Sequence, residues 1–275
     1  MGENKIKPFV HRNWSKAEHF GVAAFVVAIA LGAIDLRLAA VPLTLLIMLC
    51  AVAPFMPRAG LFFPVVYRGK TGRPMVALTF DDGPDPKTTP KLLDLLAAHR
   101  IPSTFFVTGR RAVLYPNLIR DIVARGHEIG NHTFHHNHFH IFWRPGLLDH
   151  EITATRRALR SLGVDPLSFR PPVGITTPAM GQVLAAHGLY AINFSCRAFD
   201  RGNRRIKRLS ATVLKRIKPD DIVLLHDGAP GGHAQVDRWL VEVEKILQGL
   251  SKKELTAVPL SRLIDRKVMQ LTEEI

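Results

Sequence analysis

Between residues 75 and 266 short apolar runs alternate with longer amphipathic ones, and this beat constrains the fold more than any other property of the chain. "MVALTF" (75–80) and "STFFV" (103–107) read as buried strands, with "KLLDLLAAHR" (91–100) between them as a helix. "NLIRDIVARG" (117–126) is a second helix, stopped by Gly126; "HEIGNH" supplies a short strand and "LLDHEITATRRALRSLG" (147–163) a long helix that ends at glycine. The alternation continues through "LSFRPP", "PAMGQVLAAHG", "YAINFS", "SATVLKRIK", "DIVLLHDG", "DRWLVEVEKILQGL" and "LTAVPL". Strands that alternate with helices imply a parallel sheet. About seven such units predict an α/β fold of the TIM type, a (β/α) barrel that is distorted or incomplete.

The N-terminal part is of another kind. Phe20–Ile34 and Leu38–Met56 are almost wholly apolar and are separated only by Asp35, Leu36 and Arg37. The second run, at about 1.5 Å per helical residue, can cross a hydrocarbon core of about 30 Å; the first is short for that task. A cleavable signal is the competing reading, because "AVAP" offers a small-x-small site at Ala51–Ala53, but the apolar stretch is too long for it and proline follows the site. Lys5, Lys7, Arg12 and Lys16 precede the first run, and Arg58, Arg68, Lys70 and Arg73 follow the second. A helical hairpin in a bacterial inner membrane, with both basic flanks and the domain that follows cytoplasmic, satisfies that pattern; a single crossing would turn that domain outward. The expected division is a basic tail (1–19), a transmembrane segment (20–56), a linker (57–73), an α/β domain (74–266) and a C-terminal tail (267–275).

The charge balance, 37 Lys+Arg against 23 Asp+Glu for a net +14, favours polyanions without choosing among them. No nucleic-acid motif or aromatic-interleaved basic segment accompanies it, so no nucleic-acid partner is expected. The basic run "RGNRRIKR" (201–208), with Lys215, Arg216 and Lys218, suits an anionic membrane surface. Cys50 and Cys196 form neither a disulfide framework nor a CxxC site.

In a parallel barrel the chemistry gathers where strands end and the next loops begin. "DDG" follows the first strand, "NHTFHH" the third, "RPPVG" the fourth, "AFD" the fifth and "HDG" the sixth, all at one rim. His132 and His136 are four apart, a spacing that on one helical turn presents two imidazoles to a common point. Either Asp81 or Asp82 could complete a two-His, one-carboxylate metal site with positions left open for water and substrate.

"TFDDGP", "HTFHH", "RPPVG" and "LLHDG", in that order, resemble the polysaccharide deacetylases, the family 4 carbohydrate esterases with the NodB homology domain, over about residues 74–266. The resemblance implies that Asp82, His132 and His136 bind a divalent metal, usually zinc, and that Asp81 is the catalytic base, oriented by Arg170. It implies the backbone N–H of Val173 as oxyanion donor, Leu224 as a wall of the acetyl pocket, and His226 as general acid partnered by Asp200. Two positions depart from the family pattern: Val173 replaces the usual aromatic after "RPP", and "FDR" replaces the usual "DW". The implied activity is metal-dependent removal of N-acetyl, less readily O-acetyl, groups from amino sugars of a surface polysaccharide or a lipid-linked glycan. The alternative is a non-catalytic carbohydrate-binding or scaffold protein on the same fold.

Overall fold

The computed structural model describes residues 14–137, 144–229 and 233–272. The chain divides into two compact units, one through Phe63 and the other from Pro64. In the first, helices Lys16–Gly32 and Leu36–Val52 pack against each other. Ser15 and Glu18 form a capping box at the start of the first helix, and the Asp35 carboxylate accepts from the N–H of Arg37 at the start of the second. These caps satisfy N–H groups that helix starts leave without partners. Apolar residues on both helices face outward, among them Phe25, Ile29, Leu45 and Ile47. Leu36–Phe55 is long and apolar enough to cross a membrane, with a mean hydropathy of 2.4.

The second unit is built on a parallel sheet of β1 (Val65–Val66), β2 (Met75–Asp81), β3 (Ser103–Val107), β4 (Glu128–Asn131), β6 (Ser168–Phe169), β7 (Tyr190–Ile192), β8 (Cys196–Arg197), β9 (Ile222–His226) and β10 (Thr256–Ala257). The order is β1-β7-β6-β4-β3-β2-β9-β8, with β10 on the first two residues of β2. The sheet curls into an incomplete (β/α) barrel, as the strand–helix beat predicts. One continuous segment spans its two ends: residues 190–192 pair with β6 and β1, and residues 196–197 pair with β9.

Side chains alternate across a strand, and β2 separates its two tasks that way. Val76, Leu78 and Phe80 pack with Leu92, Leu93, Leu96 and Trp239 under the helices, and Phe80 stacks on Phe105 at 5.4 Å. Each such fully buried side chain contributes about 1.5–3 kcal/mol. The alternate residues Met75, Ala77, Thr79 and Asp81 face the other way. Met75 and Ala77 join Ile222, Leu260 and Leu263 in an apolar plug, whereas Thr79 and Asp81, nearer the strand's C-terminal end, are polar and buried. The barrel interior therefore changes from apolar to ionic along the length of one strand.

Two expected boundaries are corrected. The segment assigned as a linker (57–73) belongs in part to the folded unit: Val65–Val66 forms β1, and Arg68 binds the buried Asp221 carboxylate at 2.5 Å. The C-terminal tail (267–275) supplies β11 (Met269–Leu271), antiparallel to β5 (Val164–Pro166). Strands of two or three residues carry no readable period, which is why the sequence pattern passed over both.

Candidate active site

β2 ends at Asp81, in register with His226 of β9 and Phe106 of β3. Asp81 points into the barrel and is 4% exposed; its Oδ1 accepts from the Nη1 of Arg170 at 2.7 Å. Asp82 then leaves the strand with φ 73°. That left-handed conformation is uncommon outside glycine but is tolerated by Asp. It turns the second carboxylate toward the histidines, with Asp82 Oδ1 3.2 Å from His136 Nε2 and 3.6 Å from His132 Nε2. Asp227, fully buried, supports the turn: its N–H donates to the carbonyl of Asp81 at 2.7 Å, and its carboxylate accepts from Thr88 and Thr89. Burial pushes that carboxyl up to about 7. A Cβ on Gly83 would sit 2.5 Å from Asp227 Oδ2, so only glycine fits there.

His132 and His136 do converge, but not on a helix. They lie on the loop after β4, where Thr133 (φ 66°) and His136 (φ 59°) fold the backbone back and bring the ring centroids to 4.8 Å. The loop is held from within and from behind. Asn131 Oδ1 accepts from the N–H of Thr133, and Thr133 Oγ1 from the N–H of His136. Glu151, on helix Pro145–Arg160 and only 3% exposed, accepts from the N–H groups of Phe134 at 2.8 Å and His135 at 2.7 Å, and also meets His135 Nδ1 at 2.7 Å.

The donor set fits a divalent cation. One oxygen of Asp82 and one ring nitrogen from each histidine lie within 4.8 Å of one another. The His132 Nδ1–H donates to the carbonyl of Arg170 at 2.8 Å, which fixes the tautomer and leaves Nε2 as the free lone pair. Burial disfavours a charge on His132, yet the neighbouring carboxylates Asp81 and Asp82 raise its pKa. Burial likewise opposes ionisation of Asp82, yet the surrounding imidazoles, His132 foremost, hold it below the usual carboxylate range. The centre thus has two nitrogens and an oxygen in a negative field, a set suited to zinc and similar first-row ions.

Around it lies a cavity of about 680 Å³, within the range of small-ligand sites, lined among others by Asp81, Asp82, His132, His136, Val173, Asp200, Leu224 and His226. Arg170, fully buried, reaches Thr79, Asp81 and the carbonyl of Asn193, and stacks over Phe106 at 4.0 Å. Val173 is half-exposed at φ 53°, a strained value for a β-branched residue and one that collects at functional sites. Leu224 and His226 alternate on β9 and so share its inner face. His226 Nδ1 meets Asp200 Oδ2 at 2.8 Å. Burial would lower the imidazole's pKa, but Asp200 outweighs it and holds His226 at about 9. The structure therefore brings together all nine residues expected from the sequence.

Residues 68–192 match the polysaccharide deacetylase family. A chitooligosaccharide deacetylase of Bradyrhizobium sp. is 41% identical over 168 residues, covering 60% of this chain and 76% of that one. A peptidoglycan-N-acetylglucosamine deacetylase of Bacillus cereus is 34% identical over 195 residues, covering 70% and 89%. The chain belongs to the polysaccharide deacetylase family. A crystal structure of a peptidoglycan N-acetylglucosamine deacetylase, in complex with a naphthyl N-oxidanyl-benzamide, superposes with a TM-score of 0.67 at 29% identity over 74% of this chain and 94% of that one.

Three features of the site were not legible in the motifs. Glu151 sits far along the chain from the loop it holds, and a single acid inside an amphipathic helix carries no signal. Asn203 is buried beneath the loop that follows β9, its amide donating to the carbonyls of His226 and Gly228. Although Val173 replaces an aromatic, Phe194 and Phe199 line the cavity from the segment after β7. The apolar letters of "YAINFS" and "AFD" were visible, but their placement depended on that segment crossing between the sheet's two ends.

Proposed function

We propose that the protein is a zinc-dependent hydrolase that removes the N-acetyl group of an amino sugar. One observation carries this reading: a buried carboxylate tied to an arginine and an imidazole tied to a carboxylate line the same cavity as the Asp82, His132 and His136 donor set. Those three residues would hold the cation. What it supplies when bound is Lewis acidity toward an amide carbonyl and toward water.

Arg170 holds Asp81 in place through a 2.7 Å hydrogen bond, so Asp81 takes the proton of the attacking water as its oxygen bonds to the carbonyl carbon. The backbone N–H of Val173 donates to the developing oxyanion. Leu224 borders the methyl group. His226, charged at neutral pH through Asp200, gives its proton to the amide nitrogen as the C–N bond breaks, since an unprotonated amine leaves poorly. Acetate and a free amino sugar are the products. The same arrangement would cleave an acetyl ester, but the protonation by His226 is needed more for nitrogen than for oxygen. Named relatives that act on chitooligosaccharide and on peptidoglycan support an amide substrate. The apolar helix supports attachment to a membrane, and the basic residues flanking both apolar runs support a hairpin that keeps the catalytic unit on the cytoplasmic side, with a lipid-linked glycan within reach.

Metal analysis and acetate release from an N-acetylglucosamine oligosaccharide test this reading. Asp82→Ala is expected to lose both bound metal and turnover, and Asp81→Ala to keep metal while losing turnover. Metal retained by Asp82→Ala and lost by Asp81→Ala would reverse the two roles. A wild-type protein that binds the oligosaccharide without releasing acetate would be a non-catalytic carbohydrate binder.

A further inference from the structure

The cavity has a second side that the deacetylation chemistry does not use. Arg197, Arg201, Arg204 and Arg205 all line it, facing the same space as the donor set and His226. The carboxylates lining that cavity are already engaged: Asp81 with Arg170, Asp82 between two imidazoles, and Asp200 with His226. Arg197 is stacked over Phe199 at 4.2 Å, and Arg216 lies over the same ring at 4.8 Å. Among the described residues, the side chains of Arg201, Arg204 and Arg205 have neither a carboxylate nor a hydrogen-bond partner.

Their placement is built into the backbone. Phe199, Arg201, Gly202 and Asn203 all have positive φ, between 54° and 66°, which curls the loop tightly. Asn203 pins it from below to the carbonyls of His226 and Gly228, and the N–H of Arg205 donates to the carbonyl of Asp200 at 2.8 Å. The arginines are thus held in register with the general acid and its partner. An Arg and an Asn in left-handed backbone cost energy that a loop serving only as a connection has no reason to spend.

We propose that this arginine rim binds a phosphate of the substrate, so that the enzyme acts on a phosphorylated amino sugar in preference to a neutral oligosaccharide. The proposal rests on the deacetylase reading above and names its substrate class. Guanidinium forks match phosphate oxygens bidentately and stay charged throughout the useful pH range. Several of them on one wall, with the cavity's carboxylates already committed, favour a phosphate anion over a neutral group. The phosphate can come from a soluble sugar phosphate or from the headgroup of a lipid-linked one, and the chemistry recognised is the same.

The test compares N-acetylglucosamine 1-phosphate with the methyl N-acetylglucosaminide, measuring both kcat/KM and equilibrium binding by calorimetry. Wild type is expected to favour the phosphate by about tenfold or more, mainly through KM, with a preference that shrinks as salt rises. In the triple variant Arg201→Gln, Arg204→Gln, Arg205→Gln the ratio between the two substrates should fall toward one; each ratio is taken within one protein, so a general loss of activity cancels. Equal kcat/KM and equal binding in wild type overturn the rim proposal and leave the deacetylase reading standing. Phosphate-dependent binding without acetate release upholds the rim and sinks that reading. A variant that loses retention on vesicles containing phosphatidylglycerol but keeps the wild-type substrate ratio also overturns the proposal, assigning the arginines to the membrane surface. With the proposal upheld, a polyprenyl tail on the sugar phosphate that raises kcat/KM further assigns the phosphate to a lipid-linked substrate; an unchanged value assigns it to a soluble one.

Discussion

Glu151→Gln isolates the charge that holds the histidine loop. The side chain is nearly the same size, and the amide oxygen can still accept from the N–H groups of Phe134 and His135, now as a neutral acceptor. Hydrogen bonds to a charged group are worth about 1.5–3 kcal/mol and neutral ones about 1 kcal/mol. Two bonds weakened in this way cost about 2 kcal/mol, and burial of the carboxylate means no discount for solvent. The pairing with His135 adds little, because that imidazole is half-exposed and the contact is screened by solvent. For a folded unit of this size, 2 kcal/mol lowers Tm by about 4–8 °C.

The effect on metal should be larger in proportion. His132 is fixed independently by the carbonyl of Arg170, but the position of His136 depends on the loop that Glu151 holds. Loss of such outer partners typically weakens metal binding by about 10–100-fold. Competition against a zinc-buffering chelator measures this directly, with His136→Ala as the lower bound. A Tm drop of the expected size with an unchanged zinc affinity would refute the reasoning, leaving Glu151 as a support of the fold and nothing more.

Two further outcomes follow from the geometry. Asp200→Asn removes the carboxylate that holds His226 near 9, so the alkaline limb of kcat/KM should move to lower pH, and an unmoved limb would separate His226 from the rate. A cysteine placed near the C-terminus, with Cys50 and Cys196 replaced, is expected to resist a membrane-impermeant thiol reagent in whole cells and to react after lysis; labelling of intact cells would put the catalytic unit on the outer side.

The parts of the fold that were legible in advance are those whose residues carry a period or a motif. "MVALTF" and "STFFV" became β2 and β3 because a buried strand needs a short continuous apolar run. The site was legible because each of its motifs ends a strand, so the rule that places barrel chemistry at strand ends placed them together. The helical spacing of His132 and His136 gave the right convergence for the wrong reason: two left-handed residues, not a helical turn, bring the rings together. Val65–Val66 and Met269–Leu271 were hidden because pairing over two or three residues is decided by the partner strand. Glu151 and Asn203 were hidden because their roles exist only once distant backbone comes within hydrogen-bond reach. The pairing of Asp200 with His226 emerged despite an altered motif, since "FDR" keeps the one atom group that the imidazole needs.

The open barrel also bears on how the protein behaves at high concentration. A sheet that fails to close exposes edges, and a long flat edge is a template on which another chain can add a strand. Here the two terminal strands, β1 and β8, contain two residues each. The helix-covered face of β8 is further occupied by helix Leu209–Arg216, where Cys196 Sγ approaches the carbonyl of Val213 at 3.9 Å. Edge-to-edge growth has almost nothing to copy. Stickiness resides instead in the outward apolar faces of Lys16–Gly32 and Leu36–Val52, so detergent, not a change that blocks strand addition, is what should keep the full chain dispersed.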